Sequence, residues 1–292
     1  MKYIVVPDKI TDLSLYKERK IDTFIIGLED YAINYPSTNL ETIKELSKDY
    51  HLFIAVNKNI FNSELTDVLE KLKELAKLDI EGVLFYDIGI LNLVIENNID
   101  LNLVWHQTHM VTNYNTCNYY YEKGVKYGFV ANEITLDEII EINSKSDMQL
   151  MVEVFGYPIA SHSRRLLLTN YFKSINKPKE DKTYSLVDRT SNLLIKETKD
   201  GASILNGKIT NGTKPLFDLI NNEVAYGVLD MQEVDKELAL NVLEKYNYIL
   251  DNINHIDDKE KDTIINEMNG LRGDNTNFFY KKTIYKVKRG DK

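Results

Sequence analysis

The chain has 292 residues, of which 43% are hydrophobic, enough for one large domain or two small ones with a sizeable core. Its formal net charge of −9 argues against broad, nonspecific binding to nucleic acid, although a local basic groove stays possible. A single cysteine, Cys117, excludes an internal disulfide and a cysteine-ligated metal cluster within one chain. No apolar stretch is long enough for a transmembrane helix and no signal-peptide pattern is visible, so we expect a cytoplasmic protein that does not enter a membrane.

Short apolar runs alternate with longer segments of helical periodicity along most of the chain. Several of these runs are almost continuously apolar, as strands covered on both faces require. The alternation predicts eight strands, at residues 3–7, 23–28, 52–57, 82–87, 101–107, 127–132, 149–155 and 225–230. Eight strands with intervening helices favour an α/β fold of the TIM-like (β/α)8 barrel type, with a doubly wound open sheet as the structural alternative.

The intervening helices carry start and stop signals. Thr38 and Thr135 each stand three residues before a glutamate, in the Thr-x-x-Glu pattern of a capping box. Gly124 follows a helical run and precedes the sixth strand, where a C-terminal glycine cap is expected. Between residues 65 and 76, apolar residues recur at steps of three and four, which predicts an amphipathic helix.

The alternation is interrupted once, after the seventh strand. The chain breaks at Gly156 and Pro158 and then passes through a polar, basic segment at 161–165, which we interpret as a turn. The insertion, residues 157–224, contains a predicted helix at 165–174 and strand-like runs at 184–188, 193–199 and 202–205. We therefore expect an inserted β-meander between strands seven and eight, and long loops inside compact domains usually carry function.

The rest of the chain predicts a single barrel domain that spans residues 1–292. Helices are expected near 236–248 and 258–268, the second of them within a C-terminal extension at 251–292. Residues 278–288 alternate tyrosine, threonine and valine with lysine, which predicts a final extended piece.

Polar side chains follow the ends of the predicted strands. Because the C-terminal ends of parallel barrel strands face the active site, these side chains are candidates for binding or catalysis. They are Glu29, Asn57, Asp87, His106, Gln107, Thr108, His109, Asn132, Glu133, Glu153 and Asp230.

Glu153 is the most informative of these residues because it lies among apolar neighbours in a predicted strand. A buried carboxylate is costly unless it is paired, so Glu153 is either a general base or metal ligand, or half of a structural salt bridge with a cation such as Arg165. Glu133 precedes the helix that begins near Thr135, where a cap or a helix-dipole contact is the competing interpretation.

The histidines of the fifth strand leave two interpretations open. His106 and His109 are three positions apart, a spacing that strand geometry does not place on one face, and hydrogen-bonded pocket walls are the simpler explanation. Together with Asp87 and Glu133 they also have the residue types of a His/carboxylate metal site, although no standard spacing supports one. We therefore leave the metal content unknown.

The segment after Pro158 combines serine, histidine and arginine. Ser161, His162 and Ser163 are adjacent, which rarely gives a working nucleophile–base pair, and the Gly-x-Ser-x-Gly elbow is missing, so a serine-hydrolase triad is disfavoured. Arg164 and Arg165 can bind a phosphate or a carboxylate. Lysines and arginines also gather at 173–182 and 281–292, where solvated surface is the simplest interpretation.

Five segments resemble, in the same order, the motifs of the U32 peptidase-like family. Glu153-Val154-Phe155, followed by Ser163-Arg164-Arg165 and the run to Thr169, resembles the family signature. The other four segments are GVLFYDIGIL at 82–91, THMVTN at 108–113, ANEITLDEI at 131–139 and NFFYKKT at 277–283. The resemblance covers most of the chain and implies a barrel-like core, in agreement with the strand count.

The resemblance implies a protein of the peptidase U32 group, whose members were first classed as peptidases. Other members support hydroxylation of bases in tRNA or ribosomal RNA, so an RNA-modification factor is the alternative, and the substrate is a peptide or is related to RNA. We take three residues as candidate catalytic groups, Glu153, Glu133 and His109. The candidate substrate-binding residues are Arg165, Ser163, His106, Thr108, Asp87 and Asn113.

The departures from the family pattern concern its cysteines. Leu166 stands where the family has a cysteine, and Cys117 alone cannot supply the four thiolates of the iron–sulfur cluster that several members carry. No iron–sulfur cluster is therefore expected from one chain, and other cofactors stay unknown. The missing thiols also favour a third alternative, a non-catalytic scaffold that pairs with a larger, cluster-bearing U32 subunit.

Overall fold

Fourteen strands and ten α-helices lie within the part of the chain that the computed structural model describes, residues 1–107, 109–187 and 192–281. The strands are β1 (Lys2–Val6), β2 (Thr23–Leu28), β3 (Ser37–Thr38), β4 (His51–Val56), β5 (Gly82–Phe85), β6 (Leu103–Trp105), β7 (Val125–Phe129), β8 (Gln149–Gly156), β9 (Ile159–Ser163), β10 (Tyr184–Val187), β11 (Asn192–Thr198), β12 (Gly201–Asn206), β13 (Thr210–Asn211) and β14 (Tyr226–Asp230). The helices are α1 (Leu13–Lys17), α2 (Leu40–Leu46), α3 (Leu65–Leu75), α4 (Ile88–Glu96), α5 (Tyr114–Glu122), α6 (Leu136–Lys145), α7 (Leu167–Ser174), α8 (Thr213–Asn221), α9 (Lys236–Asn252) and α10 (Asp258–Arg272). A short 3-10 helix, Ile10–Asp12, precedes α1.

Eight parallel strands close into a barrel. In spatial order they are β1, β14, β8, β7, β6, β5, β4 and β2, and β1 then pairs with β2 to complete the circle. The closing pairs place Val6 opposite Asp230 and Val5 opposite Phe24. This closure confirms the predicted TIM-like barrel and excludes the open sheet, because an open sheet would leave two strands without a second neighbour.

Each barrel strand has one face toward the barrel interior and one toward the helices, as the two-residue repeat of a strand requires. Phe53, Tyr127 and Tyr226 fill the interior near the N-terminal ends of the strands and pack edge to face, with ring centroids 5.4–6.0 Å apart. The outer faces pack against the helices in a larger core. The near-continuous apolar sequence of these strands follows from burial on both faces.

The predicted helix caps are partly confirmed. Thr135 makes the complete capping box with Glu138 at the start of α6. Gly124 follows α5 with a positive φ of 90°, as a glycine stop requires. The capping box at Thr38 is wrong, because Thr38 pairs with Leu28 in β3 and the side chain of Asn39 accepts the Thr42 backbone N–H at 2.9 Å instead.

The predicted meander is confirmed between β8 and β14. Its sheet is antiparallel, in the order β10, β11, β12 and β9, and α7 connects β9 to β10. Residues 161–163 belong to β9, so the prediction of a turn at 161–165 is wrong for these three residues. They form a strand because β12 pairs with them, placing Ser203 opposite His162.

The chain returns from the meander through β13 and α8. β13 pairs antiparallel with the end of β8, and α8 joins the outer helix layer beside α6, α9 and α10.

The predicted helices at 236–248 and 258–268 are confirmed as α9 and α10, each extending a turn further. Of the predicted extended piece at 278–288, residues 278–280 form a turn and residues 282–288 lie outside the described residues. Among the helices of the described part, none combines the length and hydrophobicity of a membrane-crossing segment.

Candidate active site

The C-terminal end of the barrel holds three neighbouring cavities. An inner cavity of ≈ 30 Å³ lies among the strand ends. The lysine cavity, ≈ 290 Å³, is bordered by Lys196 and Lys199 of the meander region, and the histidine cavity, ≈ 200 Å³, by His106, His109 and His162. Ile159 of β9 lines all three. The meander therefore covers the barrel mouth and divides the space above the inner cavity.

Three polar residues of the inner cavity follow directly from strand periodicity. Val104, Met151 and Val228 face the barrel interior. His106, Glu153 and Asp230 each stand two residues later, so their side chains share the inward face, one step nearer the mouth. All three line the inner cavity, which makes it a polar layer above an apolar barrel core.

Glu153 is held by one partner and leaves one oxygen unpaired. Its Oε2 accepts a hydrogen bond from Asn132 Nδ2 at 3.1 Å, whereas Oε1 is buried without a hydrogen-bond partner among the described residues. Burial, and then repulsion from Asp230, raise the pKa of Glu153 to about 8. Glu153 is therefore mainly a neutral carboxylic acid at pH 7, and it can donate a hydrogen bond.

Asp230, at the end of the strand that pairs with β8, also lines the inner cavity. Its Oδ1 accepts the Gln232 backbone N–H at 3.0 Å, and burial raises the pKa of Asp230 to about 7 against the opposing effect of Gln232. Tyr35, from the loop after β2, lines the same cavity. Burial, and then the carboxylates of Asp230 and Glu153, hold the pKa of Tyr35 well above its usual value, so Tyr35 stays a neutral phenol.

His106 supplies the third group. It is 8% exposed, its ring lies 4.5 Å from that of Phe129, and its Nδ1 is buried without a hydrogen-bond partner within the described residues. Burial lowers the pKa of His106 to about 4, so the imidazole is neutral at pH 7. A neutral imidazole offers one donor and one acceptor nitrogen.

The inner cavity thus combines groups that can exchange protons near neutral pH. Glu153 and Asp230 titrate at about 8 and 7, and neutral His106 lies beside them. The cavity is large enough for a water molecule or one polar group of a ligand, since a water needs roughly 10–15 Å³ of such space. Buried polar atoms without partners are rare in folded proteins, and two around one cavity point to a missing ligand or water.

The predicted catalytic residues His109 and Glu133 pair at the rim of the mouth. His109 Nδ1 lies 3.4 Å from Glu133 Oε2, and both side chains are about half exposed. His109 also lines the histidine cavity together with His106. The structure therefore brings the two histidines to one cavity, which strand periodicity alone did not predict.

Asp87 and Asn113 both begin helices. Asp87 accepts the backbone N–H groups of Gly89 at 2.8 Å and Ile60 at 3.0 Å, and Asn113 accepts that of Thr116 at 2.9 Å. These contacts hold the loops at the mouth and occupy the side-chain oxygens. A direct role for Asp87 and Asn113 in binding stays a prediction, as does that of Thr108, which lies outside the described residues.

Arg165 and Ser163 lie at the end of β9, away from the inner cavity. Arg165 is exposed, and its backbone N–H donates to Ser163 Oγ at 3.2 Å. Within the described residues, no ion pair joins Arg165 to Glu153, and Arg165 does not line the three mouth cavities. The expected salt bridge between Glu153 and Arg165 is therefore wrong; the hydrogen bond from Asn132 takes its place.

A serine–histidine pair does occur, but across two strands. His162 Nδ1 lies 2.9 Å from Ser203 Oγ in the pairing of β9 with β12. The other ring nitrogen of His162 is buried without a hydrogen-bond partner among the described residues, so no carboxylate orients the ring there. This geometry does not form the triad that a serine hydrolase uses.

Several residues of the site have weak sequence signals. In the sequence, Asp230 and Asn132 are recognisable only as two of the many polar residues at the ends of predicted strands. Tyr35 lies in a loop between β2 and α2 and has no sequence signal at all. Lys196 alternates with buried residues in β11, but its position beside Asp230 depends on how the meander folds over the barrel.

The described residues do not form a site that fits a metal ion or an iron–sulfur cluster. Within the described ranges, no three histidine, cysteine, aspartate or glutamate side chains lie close enough to hold a metal ion, so the possible site of His106, His109, Asp87 and Glu133 does not form. Cys117 is buried in α5, and burial raises the pKa of its thiol to about 11. A buried neutral thiol is a poor cluster ligand.

Comparisons with known proteins give the family of this chain. The family model described as peptidase family U32 matches residues 9–287. The tRNA hydroxylation protein P2 of Bacillus subtilis is 26% identical over 305 residues, which cover 97% of this chain and 98% of that protein. The tRNA hydroxylation protein P1 of the same bacterium is 25% identical over 51% of this chain and 37% of its own length.

Shorter or more distant similarities exist as well. The tRNA hydroxylation protein P of Haemophilus influenzae is 29% identical over 43% of this chain and 27% of its own length. Among solved structures, that of the U32 peptidase Mk0906 aligns with 53% of this chain and 69% of its own, at a TM-score of 0.44 and 16% identity. Because the family model spans nearly the whole sequence, this chain belongs to peptidase family U32.

Proposed function

We propose that this chain takes part in hydroxylating a base of tRNA and that the barrel mouth holds that base. The relative that aligns over 97% of the chain is named a tRNA hydroxylation protein, and the shorter matches carry similar names. These names favour RNA modification over the peptidase interpretation.

The observation that carries the proposal is the pair of unpaired buried atoms around the inner cavity, Glu153 Oε1 and His106 Nδ1. A nucleobase presents carbonyl oxygens and ring nitrogens in one plane. The neutral acid of Glu153 can donate to a carbonyl, while the neutral His106 ring can donate or accept beside it. Both hydrogen-bonding roles need the neutral forms of Glu153 and His106, which burial favours.

The outer cavities suit a small planar ligand better than a peptide. Their volumes, ≈ 200 and ≈ 290 Å³, lie at or below the lower end of the range of about 300–1,000 Å³ that ligand pockets usually show. Enzymes that modify bases commonly take one base out of its stack into such a pocket. We propose that the histidine cavity admits the base, because it opens onto His106.

Proton transfer is the part of the reaction that these residues explain. Replacing a C–H bond of a base by C–OH requires protons to be taken up and released at neighbouring atoms, and acids with a pKa near 7 are effective in both directions. Glu153 and Asp230 meet that condition. Hydroxylation is also a two-electron oxidation, which requires either an oxidising oxygen-atom donor or water together with a two-electron acceptor, and we assign neither to residues of this chain.

The remaining candidate residues have proposed roles at the rim. The half-exposed pair His109–Glu133 is proposed to contact the sugar or to relay protons to solvent. Arg165, which matches the arginine of the family signature, and Ser163 are proposed to contact phosphate. Proteolysis is the weaker alternative because Ser203 and His162 lack the third group of a triad within the described residues.

We also propose that the function requires a second subunit. Bacillus subtilis has both a P1 and a P2 relative, and the chain aligns with P2 over nearly its whole length but with 37% of P1. We propose that the chain works with a longer family member of the P1 type. Co-purification of the two proteins, followed by light scattering of the complex, tests this proposal; two separate monomers at micromolar concentration would contradict it.

The function can be tested by complementation. The gene is expressed in a Bacillus subtilis strain that lacks its P2 protein, and nucleosides from purified tRNA are analysed by mass spectrometry. We expect restoration of a nucleoside heavier by one oxygen atom, and a roughly 100-fold lower yield with Glu153→Gln, a typical loss for a proton-transfer group. Glu81→Gln, at the opposite end of the barrel, is the matched control and should behave like the wild type.

Two results would contradict the proposal. One is a tRNA nucleoside profile that stays unchanged when the gene is deleted from its own host. The other is full restoration of the hydroxylated nucleoside by a Glu153→Gln variant that is folded and expressed at the wild-type level.

A further inference from the structure

Positive charge is concentrated on one flank of the meander. Residues 164–182 contain six lysines and arginines and only two carboxylates, although the whole chain has a net charge of −9. Arg164, Arg165, Lys173 and Lys177, which lie at and after the end of β9 and along α7, are all exposed. We name these four residues the cationic flank.

The cationic flank differs from the other two lysines of the segment in its contacts. Lys179 pairs with buried Glu197 at 3.4 Å, and Lys182 pairs with Glu180 at 2.6 Å. The four residues of the flank form no ion pair with any carboxylate in the described part of the chain. Except for Arg164, which also acts on the nearby Glu64 carboxylate and helps to lower its pKa, their charge is therefore available to a partner outside this chain.

Exposed aromatic rings accompany the cationic flank. The guanidinium of Arg164 lies 4.1 Å from the centre of the Phe61 ring, which is 57% exposed. Tyr171 of α7 is 57% exposed as well. Cations interleaved with exposed aromatic side chains are the combination that binds single-stranded nucleic acid, since the cations contact phosphates and the rings stack on bases.

Arg164 connects the cationic flank to the mouth of the barrel. Arg164 lines the histidine cavity, together with His106 and His109. His106 also lines the inner cavity with Glu153. A phosphate bound at Arg164 would thus lie at the entrance of the path that leads to the inner cavity.

We infer that the cationic flank, with Phe61 and Tyr171, is the surface on which an unpaired segment of tRNA docks while one of its bases enters the histidine cavity. The inference rests on the proposed function and adds the location of the RNA-binding surface. It also reconciles the acidic sequence with an RNA substrate, because binding is confined to one basic flank beside the mouth. An acidic lipid surface would use the cations but would leave the base-sized cavity without a role.

Charge reversal gives the direct test. The double variant Lys173→Glu/Lys177→Glu is compared with Lys123→Glu/Lys126→Glu, which makes the same charge change at exposed positions at the start of β7, on the opposite end of the barrel. Binding of purified bulk tRNA is measured by fluorescence anisotropy from low to high salt. We expect at least about tenfold weaker binding for the flank variant and a salt slope lower by about 2, with little change for the control.

Stacking is tested separately at Tyr171. Tyr171→Phe keeps the ring and should bind tRNA like the wild type, whereas Tyr171→Ser should bind about tenfold more weakly, as the loss of one base–aromatic stack predicts. Tyr171 is exposed, so neither change should alter folding, which thermal melting checks. Equal affinities for the two variants would remove stacking from the proposed interface.

The outcomes separate this inference from the proposed function. Equal losses of tRNA binding in the flank and control variants, or no loss in either, would overturn the docking surface while hydroxylation could still be restored in cells. Flank-dependent binding to phosphatidylserine vesicles, with tRNA binding unaffected by the same variants, would also overturn it. Conversely, flank-dependent tRNA binding without any effect of gene deletion on tRNA nucleosides would support the surface and contradict the function.

Discussion

The two ends of the barrel both contain cavities, but they differ in how their polar groups are satisfied. At the N-terminal end, a cavity of ≈ 370 Å³ is larger than each cavity of the mouth. There His51, 60% exposed in its side chain, lies 2.8 Å from Glu81 and 4.0 Å from Asp22, so the polar groups are hydrated and paired. At the mouth, Glu153 and His106 each keep a buried atom without a partner.

The difference is why we place the proposed site at the mouth, where buried polar atoms lack partners, and not in the larger cavity. A buried donor or acceptor without a partner costs about 1–3 kcal/mol, and such groups persist where a ligand or water satisfies them. An exposed pair such as His51–Glu81 costs little and implies no ligand. The comparison also separates two layers of the barrel interior, an apolar one and a polar one that we propose binds the base.

The apolar layer should carry the largest effect on stability. Phe53 is fully buried in the barrel interior, where its ring packs against Tyr127 and Tyr226. Phe53→Ala should lower the free energy of unfolding by about 3–5 kcal/mol, because it removes the ring and leaves a cavity. Denaturant titration monitored by circular dichroism measures the change. A loss of unfolding free energy below about 1 kcal/mol would show that the apolar layer does not stabilise the fold as expected.

The polar layer should make stability depend on pH. Burial and the neighbouring Asp230 raise the pKa of Glu153 to about 8, far above its value in the unfolded chain. The folded state therefore binds the proton more tightly, and stability falls as the pH rises from about 4.5 to 8, by an amount on the order of 2–4 kcal/mol. Asp230, with a pKa raised to about 7, acts in the same direction.

Glu153→Gln should remove most of this dependence, because the amide resembles the neutral acid and cannot ionise. Relative to the wild type, the variant should melt at a higher temperature at pH 9 and at nearly the same temperature at pH 5. Thermal melts across that range measure the effect, with Glu81→Gln as the control, which weakens only the exposed pair with His51 and should shift the melting temperature slightly. Parallel curves for wild type and Glu153→Gln would contradict the raised pKa.

The meander above the mouth should depend on one buried carboxylate, Glu197. It accepts the backbone N–H groups of Leu168 at 2.7 Å and Thr169 at 3.1 Å, and so caps α7 from β11. Burial acts to raise the pKa of Glu197, but hydrogen bonds from Thr169 and Leu168 outweigh it and hold the pKa below its usual value.

Glu197→Gln should destabilise the meander by about 1–3 kcal/mol, because it weakens charge-assisted hydrogen bonds that have no water to replace them. Hydrogen exchange should rise in α7 and β11 while the barrel strands keep their protection. The stabilisation is also lost when the pH falls through the lowered pKa. Uniform exchange across the whole chain would show that the meander and the barrel unfold together.

The smallest effect is expected at the N-terminal end of the barrel. His51→Asn removes an exposed pair with Glu81, whose contribution should be below about 1 kcal/mol. The melting temperature should fall slightly and less at high salt, and restoration of the hydroxylated tRNA nucleoside should be unaffected. A large loss of that activity would give the N-terminal cavity a role that its exposed, paired polar groups do not predict.

The barrel could be predicted from the sequence because its signals are local. Runs such as 52–57 are apolar on both faces, and the Thr135 capping box with its Glu138 partner marks a helix start within four residues. β9 was missed because its residues are polar and form a strand only through pairing with β12. The Asn39 cap was missed because Thr38 is drawn into β3.

The candidate site was predictable only in part, for the same reason. Glu153 stands out in the sequence because a carboxylate among apolar strand residues needs an explanation. The residues around Glu153 do not stand out in the sequence. Asn132 and Asp230 come from the ends of the two neighbouring strands, and Tyr35 comes from a distant loop. The alternative of a salt bridge with Arg165 rested on the cost of burying a carboxylate, and the structure supplies Asn132 as the partner instead.

The sequence by itself determined the order of the eight barrel strands and their intervening helices, the family and the presence of a carboxylate in the seventh barrel strand. These features depend on the periodicity of consecutive residues, which local physical chemistry fixes. Only the tertiary structure decided that Glu153, Asp230 and His106 share one cavity and that the meander covers it. Those contacts depend on barrel closure and strand register, which join residues far apart in the chain and shift two pKa values toward neutrality by enclosing the groups together.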